Sequence, residues 1–197
     1  MASITAVNLL NHVRRTSGVM RRVWLCVAAM SSGFGIWATH FIAMLAYAPG
    51  VPSGYNIFLT VLSLIAAMVI TGSGLALAIT AYPAARWLGG AIVGGGIAAM
   101  HYTGMAAFEI AGRISWDATL VVASVALGAA VAAVALPVGL AARSVKNTVV
   151  GGVLLAVAIC SHHFTAMAAA SIRLDPGITV SETALPTGAL AIGVALA

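Results

Sequence analysis

The sequence predicts an all-α fold: a polytopic transmembrane helical bundle. Three observations carry that prediction. First, 62% of the 197 residues are hydrophobic and only 7% are charged, with a mean hydropathy of +1.09. A soluble domain carries about 25% charged residues, so this chain cannot cover a globular surface with charge. Second, the apolar residues gather into runs of about 20, the length that crosses a bilayer as a helix. Third, the few basic residues fall in the loops between those runs, where positive charge reports membrane orientation. The net charge of +5 therefore does not argue for a nucleic-acid partner.

The elements follow in order. Residues 1–11 are mildly apolar but too short to span. Five runs are long enough: 23–48, 57–82, 87–108, 118–142 and 148–172. None holds Asp, Glu, Lys or Arg, although Arg86 abuts the third. Residues 187–197 form an apolar stretch of about half a span. The expectation is five complete spans plus partial first and last helices, a truncated six- or seven-helix module.

Arg14, Arg15, Arg21, Arg22, Arg86, Arg143 and Lys146 fall on one side of these spans. Arg113 and Arg173 fall on the other, with all four acids, Glu109, Asp117, Asp175 and Glu182. The side rich in arginine is expected to be cytoplasmic. Cys26 and Cys160 lie within apolar runs and form no disulfide framework.

The chain repeats itself. "GFGIWATHFIAMLAY" at 33–47, "GGGIAAMHYTGMAAF" at 94–108 and "AVAICSHHFTAMAAA" at 156–170 align. The anchors are His40, His101 and His163, spaced 61 and 62 residues apart. Each is followed four residues later by a methionine: Met44, Met105 and Met167. Each repeat is two helices, so the motif recurs on alternate helices at one depth. The repeats cover about 23–82, 87–142 and 148–197, within a single membrane domain over 1–197.

Residues four apart share a helix face, so imidazole and thioether groups from three helices would make a nitrogen–sulfur pocket. Thioethers favour Cu(I), while imidazole suits copper, zinc and iron. No carboxylate lies inside the spans, which excludes a hard-cation site. Cys160, three residues before His163, is expected as a ligand or a neighbour, and His162 as a further nitrogen donor or a pocket-lining residue. Set against this is a structural reading, with histidines as packing residues and methionines as gap filler. Trp37 is expected to pack, and Glu109 and Asp117 to be solvated loop charges. Two other classes use intramembrane histidines: haem-binding electron carriers and metal or proton transporters. No paired carboxylates, phosphate loop or nucleophile constellation suggests an enzyme.

"THFIAM" at 39–44, "MHYTGM" at 100–105 and "HHFTAM" at 162–167 resemble the MHYT domain, a bacterial integral-membrane sensor family with three copies of a Met-His-Tyr-Thr motif. The resemblance implies a multi-pass domain of the bacterial inner membrane, with motifs near the outer, periplasmic face. It implies copper bound by motif residues, sensing of a diatomic gas such as oxygen, carbon monoxide or nitric oxide, and relay to a cytoplasmic effector. Effectors in such proteins are cyclic-di-GMP enzymes or histidine kinases. On the motif, His40, His101 and His163 take the histidine position, and Met44, Met105 and Met167 the downstream methionine. The upstream methionine survives only as Met100, with Thr39 and His162 in its place elsewhere.

Overall fold

A computed structural model describes residues 1–47, 50–142, 144–175 and 177–196. Ala48, at the expected end of the first span, Arg143 and Ala197 lie outside the described residues. The chain is helical over most of each apolar run. The elements are α1 (Ala2–Val13), α2 (Gly18–Ala46), α3 (Ile57–Ala78), α4 (Ala85–Ala107), α5 (Ala118–Ala141), α6 (Val145–Ala169) and α7 (Thr187–Leu196). Five short strands join them: β1 (Ser53–Tyr55), β2 (Phe108–Ile110), β3 (Gly112–Trp116), β4 (Ala170–Leu174) and β5 (Leu185–Pro186).

Among the described residues, four helices are long and apolar enough to cross a membrane: α2, α3, α5 and α6. The expectation was five. The remaining one, α4, has 23 residues, so length is not what it lacks. It carries Arg86, His101, Tyr102 and six glycines, which dilute its apolar character. Those residues are tolerated because α4 is the most enclosed helix, packed between α3 and α5 and also touching α2 and α6.

Local chemistry sets the helix ends. Asn56, Asp117 and Ser144 cap α3, α5 and α6, each side-chain oxygen accepting from the backbone N–H three residues on (Leu59, Leu120 and Asn147). Asp117 is thus a cap and not simply a solvated charge. α2 begins five residues earlier than expected, at Gly18, and takes Arg21 and Arg22 into its first turns. Arg21 Nη2 donates to the Ile79 carbonyl at the end of α3, at 3.1 Å. α6 stops at Ala169, and the last residues expected to be helical, 170–172, lie in β4.

Small residues bring the helices together, as membrane packing requires. A Cβ on Gly74 of α3 would lie 2.5 Å from the Gly89 carbonyl of α4, and one on Gly151 of α6 would lie 2.5 Å from Gly139 Cα of α5. Trp37 packs as expected: its Nε1 donates to the Thr60 carbonyl at 3.2 Å, and its ring lies 4.9 Å from Phe41. α1 packs against α2, α5 and α6. Its buried Asn11 donates to the Gly139 carbonyl and to Thr148 Oγ1, both at 3.2 Å.

The strands close one end of the bundle. β1 pairs antiparallel with β2 and with β5, in the order β2-β1-β5, setting Tyr55 opposite Phe108 and Leu185. β3 and β4 form an antiparallel ribbon from Gly112↔Leu174 to Trp116↔Ala170. An exposed Arg113–Asp175 ion pair at 3.3 Å sits on that ribbon.

Candidate metal centre

α2, α4 and α6 bring the three motif histidines to one point. His40, His101 and His163 are all buried, and their ligand atoms lie within 4.8 Å of one another. His40 Nδ1 is the hub, 3.1 Å from His101 Nδ1 and 3.3 Å from His163 Nδ1. The rings stand nearly perpendicular, at 82°, 77° and 85° for the three pairs. Gly104 makes the approach of α2 and α4 possible: a Cβ there would lie 2.6 Å from His40 Nε2. Alanine or glycine recurs three residues after each motif histidine (Ala43, Gly104, Ala166).

A chain of hydrogen bonds does not explain this arrangement. A ring nitrogen offers one in-plane site, either a proton or a lone pair. His40 Nδ1 therefore cannot donate to one neighbour while accepting from the other. A cation held by three lone pairs would resolve the conflict. Nitrogens about 2.0–2.1 Å from a common tetrahedral ion stand about 3.3 Å apart, which the two short contacts approximate. The Nε2 atoms of His40 and His101 are buried without a partner among the described residues. Orphaned buried polar atoms are rare, and histidines that turn one nitrogen to a metal leave the other in need of an acceptor. On this test the three histidines could hold a metal ion.

The other candidates divide. Met105 and Met167 line one cleft with His163, a space of about 280 Å³ that also takes in Tyr47, Phe164 and Ile172. His163 is the most open of the three histidines, at 8% exposed against 2% for His40 and 1% for His101. Met44 and Met100 are buried in the apolar core. Cys160 is exposed and outside the histidine group. At 100° per residue, the buried face of α6 runs through Leu155, Ala158, Ile159, His162 and Ala166. His163 marks its edge, and Cys160 lies farther around. His162 is fully buried beside His101, ring centroids 5.1 Å apart, but it too is outside the group of three.

Aromatic residues roof the site. Phe41 lies against His40, centroids 4.8 Å apart, and Tyr55 against Phe41 and Phe108, at 5.6 and 5.4 Å. Burial pushes the Tyr55 phenol up to about 12, so the roof stays uncharged. Tyr55 reads in the sequence only as an aromatic near a span end, outside the three motif stretches. The apolar pairing of β1 with β2 puts it over the histidines' aromatic neighbours.

A bundle of apolar helices with a buried histidine triad shared between alternate helices fits a membrane domain whose histidines could hold a metal ion. The chain belongs to the MHYT family, bacterial signalling protein N-terminal repeats, which match residues 33–91 and 94–152. These segments open on Gly33 and Gly94, the first residues of the first two motif stretches. The chain is 38% identical over 191 residues to a signalling protein of Caulobacter vibrioides, covering 96% of this chain and 24% of that protein. It is 33% identical to the bifunctional diguanylate cyclase/cyclic di-GMP phosphodiesterase MucR of Pseudomonas aeruginosa, over 98% of this chain and 29% of MucR. It is 36% identical to the cyclic di-GMP phosphodiesterase NbdA of the same organism, over 90% of this chain and 24% of NbdA. The chain thus spans about a quarter of the length of these relatives. No solved structure matches it.

Proposed function

We propose that this domain is the membrane-embedded input of a signalling protein, and that His40, His101 and His163 hold a copper ion. The gathering of three buried histidines, with His40 Nδ1 3.1 and 3.3 Å from the Nδ1 atoms of His101 and His163, carries the proposal. Met105 and Met167 flank the centre at the His163 cleft, and thioethers favour Cu(I) over zinc. Met44 and Met100 support the site from the core, while His162 and Cys160 are not needed as ligands. Copper would supply a soft Lewis-acidic centre suited to a small diatomic ligand such as oxygen, carbon monoxide or nitric oxide.

The residues themselves do the rest. The histidines tie α2, α4 and α6 together at one level, the aromatic roof excludes water, and the His163 cleft offers a path from outside. We read α4 as a fifth span and the whole chain as one module. The basic loops face the cytoplasm, where an effector such as a cyclic-di-GMP enzyme would receive the signal. The relatives named for that chemistry support this output. A ligand shifts a conformational equilibrium only through differential binding to two states, so the signal must enter through the spacing of the three histidine helices.

A haem reading fits poorly. Axial ligands need a macrocycle between them, and these rings already touch edge to face. The test is elemental analysis and an absorption spectrum of purified protein, with and without reductant. One copper per chain, lost in His101→Ala, supports the proposal. A Soret band, or protein without copper after loading at neutral pH, overturns it.

A further inference from the structure

His162 is a buried histidine that the three-histidine centre does not use. It is 0% exposed and lies near the middle of the buried face of α6. The opposing helix makes room for it at Gly128, where a Cβ would come within 3.0 Å of His162 Cβ. Its Nδ1 lies 2.9 Å from the Ser124 carbonyl oxygen. A carbonyl only accepts, so Nδ1 carries the proton, and the neutral ring leaves a bare lone pair on Nε2. That Nε2 is buried and has no partner among the described residues.

The neighbouring ring has the opposite need. His101 turns Nδ1 to His40, and its own Nε2 is buried without a partner. A neutral histidine that ligates through Nδ1 carries its proton on Nε2, and that N–H requires an acceptor. The His101 and His162 rings stand edge to face at 5.1 Å and 86°. One orphan is a donor, the other an acceptor, and they belong to adjacent rings.

We infer that His162 is a positioning residue for His101: its Nε2 accepts the His101 Nε2–H across one buried water. The Ser124 carbonyl fixes the His162 tautomer. Tyr102 Oη lies 2.8 Å from Ser124 Oγ and anchors the same turn of α5 to α4. This rests on the copper reading above and moves His162 from candidate ligand to acceptor. A methionine, which stands at the matching position as Met100, offers only a weak thioether acceptor.

The test compares the full chain in lipid nanodiscs with His162→Gln, which keeps an acceptor oxygen, and His162→Met, which does not. Cu(I) affinity is read by competition with a chromogenic chelator, and nitrogen ligands are counted by X-ray absorption. The expected result is three nitrogen ligands in all three proteins, roughly 10–100-fold weaker binding in His162→Met, and recovery of most of that loss in His162→Gln. Loss of one nitrogen ligand in both variants would make His162 a ligand and overturn the inference, as would unchanged affinity in His162→Met. A second readout needs no copper: ¹⁵N NMR of the metal-free protein should show His101 protonated on Nε2, with that signal displaced in His162→Met. An undisplaced signal overturns the inference. Absence of copper from wild type with the NMR displacement present would sink the copper reading alone.

Discussion

α4 and α5 are adjacent and nearly equal in length, at 23 and 24 residues, yet they are opposites. α5 is the most apolar of the four candidate spans and the least buried. α4 falls short as an apolar span but buries 13 residues where α5 buries seven. In a bilayer, apolar composition reports contact with lipid. A helix enclosed by other helices is free to carry glycine for close approach and histidine for chemistry. His101 therefore stands in the one long helix that falls short as an apolar span.

That contrast can be broken from the α4 side first. His101→Ala should reduce bound copper from about one per chain to under a tenth, measured by elemental analysis; retention of metal would separate α4's enclosure from any chemistry. The next effect in size is steric. A Cβ on Gly94 would collide with Ala129 Cα of α5, whereas one on Gly95 meets nothing within 4 Å. Gly94→Ala should therefore cost about 1–3 kcal/mol by overpacking, while Gly95→Ala should be neutral or stabilise by up to about 1 kcal/mol through helix propensity. Thermal unfolding in detergent would read both, and equal effects would show that the tight α4–α5 seam is not where the structure places it.

The lipid-facing side of α5 gives the complementary expectation. Val122 and Leu127 are 68% and 42% exposed, so Val122→Ala and Leu127→Ala should each change stability by less than about 0.5 kcal/mol. The last expectation lies in the roof and shows only at alkaline pH. Tyr55 ionises near 12 when folded but near 10 when unfolded. Between those values the unfolded state has lost the proton that the folded state keeps, so stability should fall as pH rises through 10. Tyr55→Phe should flatten that alkaline slope in pH-dependent melting curves.

Much of this was legible beforehand because periodicity does not depend on packing. The 61- and 62-residue spacing of His40, His101 and His163 implied a shared depth, and the structure brings the three together. The positions of the five long helices were legible to within five residues, though only four of them qualify as spans. What escaped was set by tertiary neighbours. The strands are two to five residues long, and β4 takes over residues that read as helix. Cys160 shares an i,i+3 relation with His163, but the edge of the buried face falls between them. His162 looked like an exception to the motif, and only its contact with Ser124 shows why a histidine is suited there.

The pairings at the closed end also impose an order of events. β1 pairs with β2 and β5, joining Ser53 to Ile110 and Gly54 to Pro186, and His40 meets His163 across 123 residues of chain. Contacts between such distant segments form only after the intervening chain exists. A nascent chain that has released α2 through α5 from the ribosome still lacks His163 and the last strand of the three-stranded sheet. The three-histidine cluster can therefore form only after α6 has been made, so occupancy by metal would report that all three histidine helices are in place.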